Sequence, residues 1–194
     1  MAARAADEVE IKIALSDQKS FVRRLKSAGF VLQTPRTLES NILYDFPDGR
    51  LRKRGELIRV RQYGRVWTVT FKGPGKTGRH KRREEIESKV EDGRALELML
   101  IRLGMSRSFA YEKYRSEWTD GRGQVVVDET PIGTFAEIEG PAKWIDRTAV
   151  RLGISRDQYI TGSYAELFAV WKRRTRSAAA EMTFAAVKPL KQRR

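Results

Sequence analysis

The 194-residue sequence predicts an α+β fold in which eight antiparallel strands curl into a barrel or strongly curved sheet, with helices packed outside. Three observations predict it. Segments alternating apolar and ionisable residues with period two recur along the chain. Helix-period segments fall between some of them, and tight turns join others directly, which favours antiparallel over crossover pairing. On length, residues 1–171 form one domain able to bury a real core, and residues 172–194 form a basic tail expected to be flexible.

The first strand, Asp7 to Ala14, contains Glu8-Val9-Glu10-Ile11-Lys12. Side chains alternate between faces, so Glu8, Glu10 and Lys12 share one face and Val9, Ile11 and Ile13 the other. At roughly 3.3 Å per residue the two glutamates stand about 6.6 Å apart. Their repulsion at an effective dielectric near 20 is on the order of 2.5 kcal/mol. A hard divalent cation offsets such repulsion, and so does solvation of an exposed face.

Ser16 is read as the N-cap of a helix whose Phe21, Leu25 and Ala28 follow helical spacing and which Gly29 stops. Leu38 to Phe46 reads as a strand entering a Pro47-Asp48-Gly49 turn. Leu57–Gln62 and Arg65–Lys72 read as a hairpin around Tyr63-Gly64, with Arg59 and Arg61 on one face of the first arm. In the second arm Thr68, Thr70 and Lys72 oppose Trp67, Val69 and Phe71, which makes Trp67 a core residue rather than a stacking platform. After a glycine-rich loop, Arg83, Glu85 and Glu87 share a face. A helix from Asp92 to Leu103 turns Leu96, Leu100 and Leu103 to one side and stops at Gly104. The next strand aligns Tyr111, Lys113, Arg115 and Glu117. Gln124 to Asp128 is a short apolar strand, and Thr134 to Gly140 places Glu137 with Glu139. Pro141 to Leu152 and a segment beginning at Asp157 or Ser163 are helical.

Composition excludes several chemistries. Without cysteine there are no disulfides, thiolate metal sites or cysteine nucleophiles. The single histidine, His80, lies in the loop-like run from Gly73 and reads as solvated. No apolar run approaches the ~20 residues of a membrane span, and the N-terminus lacks a signal-peptide core, so a soluble, cytoplasmic protein is expected. The net charge is +14, half of it carried by the eight Lys or Arg and one Glu from Lys172 onward. A tail of that kind is usually a solvated extension, and nucleic acid is a partner only through it.

Like charges repeat at i and i+2 on the ionisable strand faces: Glu8/Glu10, Glu85/Glu87, Glu137/Glu139, Arg59/Arg61 and Lys113/Arg115. A solvated sheet face ordinarily mixes charges with Thr, Ser and Gln and sets opposite charges across from one another. If the faces look inward, the interior is a wet, charged channel, because unpaired charges in a dry core cost several kcal/mol each. A polyanion held by Arg and Lys, with a metal held by carboxylates, satisfies both signs, and triphosphate is the obvious ligand.

These residues also resemble the CYTH superfamily, the triphosphate tunnel metalloenzymes that include class IV adenylate cyclases, thiamine triphosphatases and inorganic triphosphatases. Glu8-Val9-Glu10-Ile11-Lys12 looks like the family's ExExK signature. Asn41 to Asp45 resembles its Tyr-Asp strand, Leu57 to Arg61 its RxR element, and Thr70 to Pro74 its TxKGP element. Arg83 to Glu87 is similar to RxExE, Lys113-Tyr114-Arg115 to KxR, and Asp128-Glu129 with Gly133 to Gly140 to the DE…GxFxEIEG end. The Ser163 to Leu167 helix start also fits. The ordered match covers residues 8–167 and leaves out the tail from about Lys172.

The resemblance implies a tunnel domain over 1–171 with Mg²⁺ or Mn²⁺ inside. It makes Glu8, Glu10, Glu137 and Glu139 metal ligands, with Glu85 or Glu87 holding or orienting a second ion. Lys12, Arg59, Arg61, Lys72, Arg83, Lys113 and Arg115 then line the polyphosphate, and Lys12 and Tyr44 assist the attacking water. Triphosphate hydrolysis, cyclisation of ATP to cyclic AMP and non-catalytic binding of polyphosphate or nucleic acid are the three activities compatible with these residues, in a monomer or homodimer.

Overall fold

A computed structural model describes residues 6–76 and 78–187. Eight strands close into an antiparallel barrel: β1 (Ala6–Leu15), β2 (Val31–Asp45), β3 (Leu57–Tyr63), β4 (Val66–Lys72), β5 (Lys81–Val90), β6 (Ser106–Thr119), β7 (Gln124–Thr130) and β8 (Gly133–Glu139). Their order around the barrel is β1-β5-β4-β3-β2-β6-β7-β8. The helices are α1 (Gln18–Ser27), α2 (Arg50–Lys53), α3 (Gly93–Arg102), α4 (Ala142–Arg151) and α5 (Tyr164–Thr175). Among the described residues no helix is long and apolar enough to cross a membrane.

Most of the apolar core lies outside the barrel; a separate cluster joins Tyr111 and Phe135 of the interior face to Tyr164 and Phe168 of α5 and to Met182. Ile11, Ile13, Val125, Val127 and Ile138 turn outward and are covered by Phe21 and Leu25 of α1 and Trp144 and Ile145 of α4. Side chains buried this fully contribute roughly 1.5–3 kcal/mol each. A second cluster joins Tyr44 and Val60 to Leu51 of α2 and Leu100 of α3. Gly93 lets α3 lie flat on Trp67, since a Cβ there would stand 2.1 Å from the indole.

Several local expectations change. Asp17, not Ser16, caps α1, its carboxylate accepting from the Ser20 N–H at 2.9 Å. The second strand starts at Val31, and α2 follows the Pro47-Asp48-Gly49 turn. Leu103 does not join Leu96 and Leu100: α3 ends at Arg102 and Leu103 is 72% exposed. Of the two alternative starts for the last helix, Ser163 is realised through a capping box with Glu166. His80 is not a solvated loop residue. Its Nε2 lies 2.9 Å from Asp146 of α4, and Arg79 meets the same carboxylate.

The expected break at residue 172 falls inside α5, and the described residues after it, up to Val187, pack against the barrel. β7 pairs with β6 only from Tyr114 to Thr119, which leaves the first half of β6 without a strand on that side. Met182 pairs with that edge, its N–H donating to the Ala110 carbonyl and its carbonyl accepting from Glu112. Met182 and Val187 are buried and Phe184 packs at a tilt against Tyr114, so the apolar residues among the charges hold this segment down. The charge-dense stretch 188–194 lies outside the described residues.

Candidate functional site

Register decides which side chains look into the barrel. Glu10 stands opposite Glu139 and Lys12 opposite Glu137, Glu8 opposite Arg83, Glu85 opposite Lys72, and Lys113 opposite Glu39. Continued round the barrel, this parity puts Lys12, Arg59, Arg61, Lys72, Lys81, Arg83, Lys89, Lys113 and Arg115 on the interior face. It also puts Glu8, Glu10, Glu39, Glu85, Glu87, Glu117, Asp128, Glu137 and Glu139 there, nine cations and nine carboxylates. Every site residue expected from the sequence is therefore brought together except Tyr44.

Tyr44 points the other way. It shares parity with Ile42 and Ile58 and is buried in the cluster under α2 and α3. Among the described residues its hydroxyl makes no hydrogen bond, though Arg107 and Glu97 lie near it, and burial raises its pKa. Tyr44 does not face the barrel interior: one residue of register turns a strand side chain to the opposite face.

The carboxylates at the β1–β8–β5 seam take lysines. Lys72 Nζ lies 2.5 Å from Glu8 and 2.8 Å from Glu85, and Lys81 Nζ lies 2.8 Å from Glu10. Burial and Arg59 oppose charge on Lys72, yet Glu8 and Glu85 raise its pKa. Glu139 has no cation within 4 Å among the described residues. Burial, followed by the fields of Glu8, Glu10 and Glu137, pushes its carboxyl up to about 7. No group of three or more His, Asp or Glu stands in a metal-holding arrangement among the described residues, because the lysines draw the carboxylates apart. The donor set nevertheless fits a hard cation: all its ligands are oxygens, and the unpartnered Glu139 faces Glu10 directly.

On the β3–β4–β5 wall, Arg59 donates to Thr70 Oγ1 at 3.1 Å and Arg61 to Thr68 Oγ1 at 3.2 Å. Glu87 accepts from Arg61 at 2.9 Å and from Thr70 at 2.8 Å, so it stands with the arginines of this wall. Arg83 donates to the carbonyls of Gly73 and Gly55, which turns its guanidinium toward the loop ends.

Opposite lies a cluster in which sequence reasoning found the cations and Glu137 but not the roles of Glu39 and Tyr164. Glu39 is wholly buried, with Lys113 at 3.4 Å, Arg115 at 3.8 Å and Arg61 at 3.9 Å. Burial disfavours its charge, but Lys113, Arg115, Arg61 and Arg59 hold its carboxyl well below the ordinary range. Asn41 Nδ2 donates to it at 3.0 Å. Asp128, also wholly buried, accepts from Lys113 at 2.9 Å, from both nitrogens of the Arg115 fork and from the Tyr164 hydroxyl at 2.7 Å. Glu137 bridges Arg115 at 2.5 Å and Lys12 at 3.0 Å. Burial lowers the pKa of Lys12, but Glu137 and Glu10 more than offset it and bring the ammonium to about 12. Period-two parity from Asn41 back to Glu39 marks the first of these residues; the Ser163 to Leu167 resemblance marks only a helix start, and nothing in it places the Tyr164 side chain in the site.

A closed eight-stranded barrel with a densely ionisable interior and most of its core outside is a narrow architecture, and the model of the CYTH domain matches residues 6–164. The chain belongs to the CYTH domain family. A Methanocaldococcus jannaschii protein named "Putative adenylate cyclase" is 29% identical over 171 residues, covering 82% of this chain and 97% of that protein. Among solved structures, a Vibrio parahaemolyticus protein with the same description superposes with a TM-score of 0.74 at 21% identity, covering 86% of this CYTH chain and 99% of its own. A Hippeastrum protein, named a "Putative adenylyl cyclase" and described as having a dominant triphosphatase activity, gives 0.62 at 18% identity, covering 86% and 96%. The CYTH match ends at Tyr164, the first residue of α5.

Proposed function

We propose that this CYTH protein is a metal-dependent hydrolase of triphosphate-containing substrates, inorganic tripolyphosphate or an organic triphosphate, bound inside the barrel. The observation that carries the reading is the set of interior cations on β3 and β6, placed across the barrel from the Glu10–Glu139 pair. Arg59, Arg61, Lys113 and Arg115 line one side, and the Glu10–Glu139 pair faces them from the β1–β8 seam. Phosphate oxygens replace the carboxylates that now hold these cations, with guanidinium forks matching them in pairs. Lys72, Arg83 and Lys12 extend the same lining. A Mg²⁺ or Mn²⁺ ion would be held by Glu8, Glu10, Glu137 and Glu139, with Glu85 beside them, and when bound supplies charge neutralisation and Lewis acidity. Phosphoryl transfer needs little more from the protein than positioning and neutralisation. A water oriented by a carboxylate attacks the terminal phosphorus, the bond to the bridging oxygen breaks, and diphosphate leaves.

The second reading, cyclisation of ATP by attack of the ribose 3′-hydroxyl on the α-phosphorus with loss of pyrophosphate, is favoured by the names of the relatives. One assay separates them: purified protein with Mg²⁺ or Mn²⁺ and tripolyphosphate, ATP or thiamine triphosphate, scoring phosphate and cyclic AMP. Phosphate without cyclic AMP is expected. Cyclic AMP with pyrophosphate would replace the hydrolase by the cyclase. Triphosphate binding without turnover under either metal would leave a binding protein.

A further inference from the structure

We propose that Tyr164 is a positioning residue of the interior site, its ring fixing the ammonium groups of Lys12 and Lys113. The inference rests on the polyphosphate reading above. Lys12 Nζ lies 4.5 Å from the centroid of the Tyr164 ring and Lys113 Nζ lies 5.0 Å from it. Two like charges thus share one aromatic ring, which attracts both through its quadrupole. The hydroxyl of the same ring donates to Asp128 at 2.7 Å. The contacts close a circuit: Tyr164 holds Asp128, Asp128 the Arg115 fork, Arg115 Glu137, Glu137 Lys12, and Lys12 returns to the ring.

The lead-in to α5 is fastened to the same strand position. Lys12 and Ile160 exchange both backbone hydrogen bonds, at 3.1 and 2.7 Å, and Lys12 Nζ also reaches the Gly162 carbonyl at 3.4 Å. Ser163 then caps α5, which sets the direction in which Tyr164 enters the gap beside β6. Phe135 meets the ring edge-on at 5.8 Å and Tyr111 stacks at 6.0 Å, so the ring has one orientation. Lys12 therefore depends on a residue from the far end of the chain for its place among the interior charges.

Tyr164→Phe keeps the ring and loses only the bond to Asp128, whereas Tyr164→Leu loses both. With tripolyphosphate and metal, the Leu variant should lose about thirtyfold or more in kcat with KM within about threefold, the scale a displaced group costs. The Phe variant should restore most of that loss. A Leu variant with kcat within about twofold of the parent would overturn the proposal, as would a change confined to KM or a Phe variant as impaired as Leu. Lysine side-chain NMR of the full chain reads the placement without turnover. The Lys12 ε-methylene should be shifted upfield by the ring in the parent and in Tyr164→Phe, and not in Tyr164→Leu. An unshifted Lys12 in the folded parent overturns the proposal even if no triphosphate is hydrolysed, whereas a shifted Lys12 in an inactive parent overturns only the hydrolase reading.

Discussion

Glu139→Gln should stabilise the metal-free protein above pH 7 and change it little near pH 5. Glu139 faces Glu10 across the β1–β8 pair, and burial with Glu8, Glu10 and Glu137 lifts its carboxyl from 4.5 to about 7. A folded-state pKa above the unfolded one means that the native state binds the proton more tightly. The associated stability is present below pH 4.5 and is lost as pH rises to about 7. At 1.36 kcal/mol for each pH unit, the ionised carboxylate costs roughly 3 kcal/mol above pH 7, and glutamine removes that cost. With a urea slope of roughly 2 kcal/mol/M, the midpoint should rise by about 1.5 M at pH 8 and by well under half of that at pH 5. Urea titrations of both proteins at the two pH values in the presence of a chelator test this. A midpoint difference equal at both pH values would refute the assignment of repulsion to Glu139.

Other substitutions read other parts of the site. Glu10→Gln should abolish metal-dependent turnover while circular dichroism shows an unchanged fold; a folded, fully active variant would count against the carboxylate seam. Glu39→Gln leaves Lys113, Arg115 and Arg61 around a neutral group. Breaking a buried ion pair costs about 3–5 kcal/mol, so thermal denaturation should show a loss of that size at pH 7. The folded pKa of Glu39 is depressed, so its stabilising contribution is present above the ordinary carboxylate range and the difference should shrink only under strong acid. Tyr44→Phe should retain turnover within about twofold and stability within about 1 kcal/mol, since it removes a buried hydroxyl that has no partner. A large activity loss would return Tyr44 to the mechanism.

The interior face was legible because a strand has only two faces. Once Glu8 and Glu10 share parity with Lys12, a barrel leaves them one shared direction, and the same holds for Arg59 with Arg61 and Lys113 with Arg115. Glu39 obeys the same rule but stands alone in a strand of Ser, Leu and Asn, where no repeated charge draws attention to it. Tyr44 was misplaced by following a motif over parity. Tyr164 and the packing of Met182 depend on the gap between β6 and β7, a three-dimensional consequence of unequal strand pairing that no local pattern encodes. The basic residues after Lys172 suggested a free tail by their charge, while the interspersed Met182 and Val187 decided its packing.

Charge balance leads to a last expectation. The interior face carries nine cations and nine carboxylates, so the ligand-free barrel is near charge balance, and most of its charges pair with one another while Glu139 has no cation beside it among the described residues. Tripolyphosphate brings about four negative charges or more, since its terminal groups ionise again near pH 6. Entering alone, it would take cations away from Glu8, Glu10 and Glu137 and leave those carboxylates beside Glu139 with no counter-charge in a half-dry interior. A divalent cation entering with it restores the balance on the carboxylate side. On the proposed function, metal and tripolyphosphate should bind synergistically, with a coupling of about 1–3 kcal/mol, or roughly 5- to 150-fold in either affinity. Calorimetric titration of tripolyphosphate into the protein with and without Mg²⁺ measures it. Magnesium also binds free tripolyphosphate, so the reciprocal titration of metal into the tripolyphosphate-loaded protein must give the same factor. Equal affinities in both titrations would mean that the lysines alone carry the compensation and that the seam carboxylates are not a metal site.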